Sequence, residues 1–168
     1  MYLFQVVENP MEGVKSALVI AGSDKRGTIY GLFYLSEKLG VSPLVNWNHV
    51  LPKRREYVIL TEKDFFVSKE PSVKYRGFFI NDEWPAFGTW ADKHFSGINA
   101  ACYECVFELL LRLKGNYLWP AMWASNFNLD GPGLKSAELA DELGVVMGTS
   151  HHEPCMRAGA EYGKMRGE

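Results

Sequence analysis

The pattern of apolar and polar positions divides the chain into two parts with different organisation. Residues 16–21 are a short, mostly apolar run that predicts a buried strand. Apolar positions over residues 29–39 recur at helical spacing and predict a helix that Gly40 ends. Residues 56–61 predict a second strand. The charged stretch at residues 62–72 ends in Glu-Pro-Ser, and we place a domain boundary there.

After this boundary, strands and helices alternate regularly. The predicted strands are residues 75–80, 115–119 and 145–148, and the predicted helices are 98–114, 134–143 and 154–164. This order implies parallel strands joined by helical crossovers. The 96 residues from position 73 onward correspond to three such units, at about 30 residues for each unit. Three parallel strands cannot close a barrel, so either they form an open sheet or the chain is incomplete.

Composition excludes several classes of protein. The chain has 168 residues with 18 basic and 20 acidic side chains, so it lacks the positive surface of a nucleic-acid-binding protein. No apolar run approaches the roughly 20 residues that span a bilayer, so we expect no membrane association. The first ten residues do not have the pattern of a signal peptide. Extracellular, periplasmic and cytoplasmic locations all stay open.

Two local motifs have ordinary structural interpretations. Cys102 and Cys105 form a CxxC, but it lies in a predicted apolar helix and no second CxxC completes a zinc site. We interpret both as small apolar helix residues. The stretch at residues 22–28 resembles a phosphate loop, but Thr28 stands where that loop needs lysine. We interpret it as a glycine-rich turn.

Polar and aromatic residues concentrate where the three predicted parallel strands end. These ends read NDEWP (residues 81–85), YLWPAMW (117–123) and TSHHEP (149–154). Functional groups of parallel α/β folds cluster beyond the carboxyl ends of the strands. Each end also has a proline, which fixes the backbone where the chain leaves the sheet. The three strand ends are therefore the candidate functional surface.

Each candidate residue also has an alternative role. Asp82 and Glu83 could serve in a turn or a helix cap instead of a site. As neighbours they point in different directions, so they cannot be the two carboxyl groups that flank a glycosidic bond in a glycosidase. Trp119 could stack on a sugar or pack in a core, and Trp123 is the weaker candidate for a sugar contact. His151 and His152 could hydrogen-bond a ligand, be structural, or bind a metal, although no HxH or HExxH spacing is present.

Several long stretches resemble glycoside hydrolase family 115, the xylan α-1,2-glucuronidases. They are YRGFFINDE (residues 75–83), FELLLRLKGNYLWPAMW (107–123) and VMGTSHHEP (146–154), and residues 17–39 are similar to the N-terminal domain of that family. The resemblance implies a fold of the α/β class. Residues 1–72 would be the C-terminal part of a small α/β domain. Residues 73–168 would be the first three β/α units of an incomplete (β/α)8 TIM barrel, which needs about 250 residues.

The resemblance also implies a function. Such an enzyme removes glucuronic acid or its 4-O-methyl ether from glucuronoxylan or aldouronic acids with inversion, without a metal or cofactor, and is a larger protein that forms homodimers. Asp82 matches a pocket residue of the family and would hold sugar hydroxyls or position the water. His151 resembles a sugar-contacting histidine, and Trp119 and His152 would be further substrate-binding residues. Residues 124–126 read Ala-Ser-Asn where the family pattern is of the Gly-Asn-Ala type.

The general acid and base of the family would lie on later strands. We therefore expect this chain to be a fragment of a glucuronidase that is inactive alone and marginally stable or prone to aggregate. Two other hypotheses remain open from the residues. One is a carbohydrate-binding α/β module without catalysis, which would use Trp119, Trp123 and the histidines. The other is a metal-dependent α/β hydrolase centred on His151 and His152.

Overall fold

The computed structural model describes residues 1–120, 123 and 125–149, which form a mixed α/β structure. The predicted helix at 154–164 lies outside the described residues. The chain divides into two compact units. The first contains Met1–Lys74 and Leu111–Lys114, and the second contains Tyr75–Leu110 and the residues from Gly115 onward.

The first unit is built on an antiparallel sheet with one helix. Its strands are β1 (Tyr2–Met11), β2 (Val14–Gly22) and β3 (Phe66–Val67), in the order β2-β1-β3, and its helix is α1 (Lys25–Lys38). Alternate side chains of β1 are buried, as expected for a strand with one face on a core. The rings of Tyr2, Phe4, Tyr34 and Phe66 contact one another in that core, with centroids 4.8–5.8 Å apart.

The predicted strand at residues 16–21 is confirmed as part of β2, and the predicted helix as part of α1. The predicted strand at residues 56–61 is wrong. That segment has no regular structure and its side chains are largely exposed, with Tyr57 and Ile59 pointing into solvent. The strand that pairs with β2 is β1 instead. Its side chains Tyr2, Phe4 and Val6 are buried together on one face of the sheet.

The glycine-rich stretch at residues 22–28 is a turn that leads into α1. Asp24 has extended backbone angles and its side-chain Oδ1 accepts a hydrogen bond from Gly27 N at 2.7 Å, so it is the N-cap of the helix. The amino end of α1 is therefore occupied by a carboxylate of the protein itself. This arrangement agrees with the interpretation of the stretch as a turn.

The second unit contains the predicted parallel sheet. Its elements are β4 (Gly77–Phe79), α2 (Phe87–Phe95), α3 (Ala100–Arg112), β5 (Tyr117–Trp119), α4 (Lys135–Leu143) and β6 (Val146–Met147), with the last residues of α3 grouped with the first unit. The strands are parallel in the order β4-β5-β6, with Phe79 opposite Trp119 and Leu118 opposite Met147. The three predicted strands and two of the predicted helices are confirmed, and α2 was not predicted.

The core of the second unit contains side chains of α3 and of β5. The fully or almost fully buried side chains there are Cys102, Tyr103, Val106, Phe107, Leu110 and Leu118. Cys102 and Cys105 are free thiols, and burial raises the pKa of the Cys102 thiol to about 12. Both facts agree with their interpretation as apolar helix residues, since reactive cysteines have lowered pKa values. No helix among the described residues is long and apolar enough to cross a membrane.

Candidate functional site

Asp82 lies directly beyond the carboxyl end of β4 and is completely buried. Its Oδ1 accepts a hydrogen bond from Trp123 N at 2.9 Å, and its Oδ2 accepts one from Ser125 N at 2.8 Å. These two donors lie in the loop that follows β5, the neighbouring strand. The Asp82 carboxylate, beyond the end of β4, therefore holds the backbone of the loop that follows β5. Glu83 is exposed, so the two adjacent carboxylates do point in different directions, as predicted.

Trp119 ends β5 and is 46% exposed. Its indole Nε1 donates a hydrogen bond to the Tyr117 hydroxyl at 2.8 Å, and its ring approaches Phe79 edge-on with centroids 6.5 Å apart. Gly148 provides the space for this pair, because a Cβ there would lie 1.9 Å from the Tyr117 hydroxyl oxygen and 2.5 Å from Trp119 Cδ1. The indole is held in place on one side while the rest of it stays accessible.

Two further tryptophans are exposed beyond the ends of β4 and β5. Trp123 is 58% exposed and Trp84 is 50% exposed. Large aromatic rings exposed near one edge of a sheet mark a surface that binds a ligand or packs against another part of the protein. Sequence reasoning did not single out Trp84. The available signal was its position two residues after Asp82 and four before Gly88.

Comparison with known proteins identifies the family. The sequence model of Glycosyl hydrolase family 115 matches residues 68–168. This chain belongs to glycoside hydrolase family 115. A solved structure described as a family GH115 4-O-methyl-α-glucuronidase, BtGH115A, with specificity for decorated arabinogalactans, is 39% identical and superposes with a TM-score of 0.72 over 89% of this chain. The chain covers 20% of that protein's length. A search of curated protein sequences found no match to this chain.

Within this family 115 chain, the structure brings together only part of the predicted site. Asp82 and Trp119 lie at the ends of the adjacent parallel strands β4 and β5. His151 and His152, the other two predicted substrate-binding residues, lie outside the described residues. In the part of the chain that the structure describes, no group of three histidine, cysteine or acidic side chains could hold a metal ion. The hypothesis of a metal-dependent hydrolase was centred on His151 and His152, so it concerns residues outside this part of the chain and stays a hypothesis.

Proposed function

We propose that this chain is part of an inverting α-glucuronidase that releases glucuronic acid or its 4-O-methyl ether from glucuronoxylan or aldouronic acids. The observation that carries the proposal is the 39% identity to BtGH115A, described as a 4-O-methyl-α-glucuronidase. Because this chain covers 20% of that protein, the activity is proposed for the whole protein and not for these residues alone. The full-length protein is expected to be a homodimer, which sedimentation analysis would test.

The architectural part of the proposal is that the parallel sheet starts a (β/α)8 barrel. Its support is the order β4-β5-β6, in which consecutive parallel strands are neighbours and helices lie between them in the chain. Residues 73–168 would be the first three barrel units, and residues 1–72 part of a small α/β domain before them. The active site of such a barrel lies beyond the carboxyl ends of its strands, which is where Asp82 and Trp119 are found.

The binding part of the proposal assigns the sugar to this edge. Trp119 offers an accessible indole face for stacking on a sugar ring. His151 and His152, which follow β6 in sequence, would hydrogen-bond a hydroxyl or the uronate carboxylate, and protonation of His151 would favour that anion. Asp82 would hold sugar hydroxyls or position the water; each of its oxygens accepts one N–H of the loop that carries Trp123, and a carboxylate oxygen has two lone pairs.

The catalytic part follows from inversion. One carboxylic acid protonates the leaving sugar oxygen while a carboxylate on the opposite face activates water, and the two groups are about 6.5–9.5 Å apart. Asp82 is buried and engaged, and Glu83 is its direct neighbour, so these two do not form such a pair. We therefore place the general acid and base elsewhere in the full-length protein, and we expect the isolated 168-residue chain to be inactive.

Activity measurements on two proteins test this proposal. The full-length protein and the isolated chain are each incubated with glucuronoxylan and with a decorated arabinogalactan, and the released uronic acid is identified by chromatography and NMR. We expect the full-length protein to release (4-O-methyl)glucuronic acid from at least one glycan with inverted anomeric configuration. No release from either glycan would contradict the function. Turnover by the isolated chain would contradict the placement of the acid and base.

A further inference from the structure

Trp84 is a half-exposed tryptophan to which the proposed function gives no role. It follows β4 by five residues and the buried Asp82 by two. The two hydrogen bonds of Asp82 fix the position of the backbone just before Trp84. Two contacts with α2 hold its ring in one orientation.

One face of the Trp84 indole lies against the backbone of α2 at Gly88. A Cβ at Gly88 would be 2.4 Å from both Cδ2 and Cε2 of the indole and 2.6 Å from Cε3. Cδ2 and Cε2 are the two carbons shared by the fused rings, so the helix approaches the middle of the indole face and not its edge. Any side chain at position 88 would displace the ring. Glycine is therefore what allows this contact.

A hydrogen bond also fixes the orientation of the ring. The Trp84 indole Nε1 donates to Asp92 Oδ2 at 3.2 Å, and Asp92 lies one helical turn after Gly88 on α2. With one face on the helix and its only polar atom engaged, the indole keeps its other face toward solvent, consistent with an exposure of 50%. A large, rigid aromatic surface binds a partner with little loss of side-chain entropy.

We propose that this outer face of Trp84 is a second carbohydrate-binding platform, which stacks on a neutral pyranose of the glycan chain that carries the glucuronosyl group. The C–H groups on one face of a pyranose are weakly positive and complement the negative face of an indole. The Asp92 carboxylate beside the ring disfavours an anionic sugar at this position. The platform therefore binds a chain sugar and not the uronic acid, and this assignment rests on the proposed function.

Binding of uncharged oligosaccharides by the full-length protein tests the platform. Isothermal titration calorimetry uses xylohexaose and an arabinogalactan oligosaccharide without uronic acid. We expect Trp84→Ala to weaken binding of at least one of these oligosaccharides about tenfold, and Trp84→Tyr to retain most of the binding. Gly88→Ala should also weaken binding, although the indole is still present. Tyr57→Ala, which removes an exposed ring from the other unit, is the matched control and should bind as the wild type does. Thermal unfolding of each variant verifies that it is folded.

Kinetics separate the platform from the proposed function. For Trp84→Ala, the ratio of kcat/KM on glucuronoxylan to kcat/KM on the shortest aldouronic acid should fall about tenfold. If Trp84→Ala binds and hydrolyses as the wild type does, the platform is wrong while the function stands. If the wild type releases no uronic acid but binds neutral oligosaccharides through Trp84, the proposed function is wrong and the platform stands. If Trp84→Phe leaves the acrylamide-quenchable part of the full-length protein's tryptophan fluorescence unchanged, the ring is not accessible and the platform is also wrong.

Discussion

Asp82 shows how a single buried carboxylate can organise a loop. A charged group without water needs hydrogen-bond donors around it, because burial without partners costs several kcal/mol. The backbone N–H groups of Trp123 and Ser125 are two such donors, at 2.9 Å and 2.8 Å. The carboxylate in turn holds these two N–H groups in one position. The residue therefore positions the loop that presents Trp123 to solvent.

Replacing Asp82 by asparagine tests this role. The asparagine side chain would present one oxygen and one NH₂ group to two N–H donors, so one backbone donor would lose its acceptor, at a cost of about 1–3 kcal/mol. For Asp82→Asn we expect faster hydrogen exchange, by mass spectrometry, in a peptide that spans residues 120–126. Glu83→Gln is the matched control, because this neighbouring carboxylate is exposed and should leave exchange unchanged. Equal exchange in Asp82→Asn and the wild type would contradict the positioning role.

At the scale of elements, α1 and the parallel strands begin and end for local reasons. Asp24 starts α1 by accepting the hydrogen bond of Gly27 N, which would otherwise have no partner inside the helix. The strands β4, β5 and β6 are short apolar runs next to glycine or before proline. Local signals of this kind are visible in the sequence. The strand predicted at residues 56–61 has the same apolar pattern but gains no pairing partner.

The cap at Asp24 makes a quantitative prediction. Asp24→Ala removes the acceptor for Gly27 N, and loss of such a cap costs about 1 kcal/mol. We expect a correspondingly lower free energy of unfolding in urea, followed by circular dichroism. Asp24→Asn is the control, because its side-chain oxygen can still accept this hydrogen bond, and it should lose only a small part of the stability. An Asp24→Ala protein as stable as the wild type would show that this cap is unimportant.

At the scale of the whole molecule, the parallel sheet has two different faces. Leu118 is fully buried, whereas its neighbours Tyr117 and Trp119 point to the opposite side, together with Tyr75 and Phe79. Tyr75, Phe79 and Trp119 are all exposed to a large degree. An aromatic sheet face of this kind favours association with other apolar surfaces. In a complete barrel this face would point to the barrel interior.

The isolated 168-residue chain is therefore expected to self-associate. Sedimentation velocity at increasing concentration should show species larger than the monomer, and the double variant Phe79→Ser/Trp119→Ser should reduce them. Tyr57→Ser removes a more exposed ring from the other unit and should leave association as in the wild type. A monomeric chain with a sharp, cooperative thermal transition would contradict this expectation.

The sequence by itself determined the order of the three parallel strands and of the helices α3 and α4 in the second unit. These follow from periodicity, glycine and proline, which act over a few residues. Tertiary structure decided that Asp82 points inward, that β1 and not residues 56–61 pairs with β2, and that Gly88 supports the Trp84 ring. Side-chain direction and burial depend on contacts across long separations, such as the 43 residues between Asp82 and Ser125, and local pattern does not encode them.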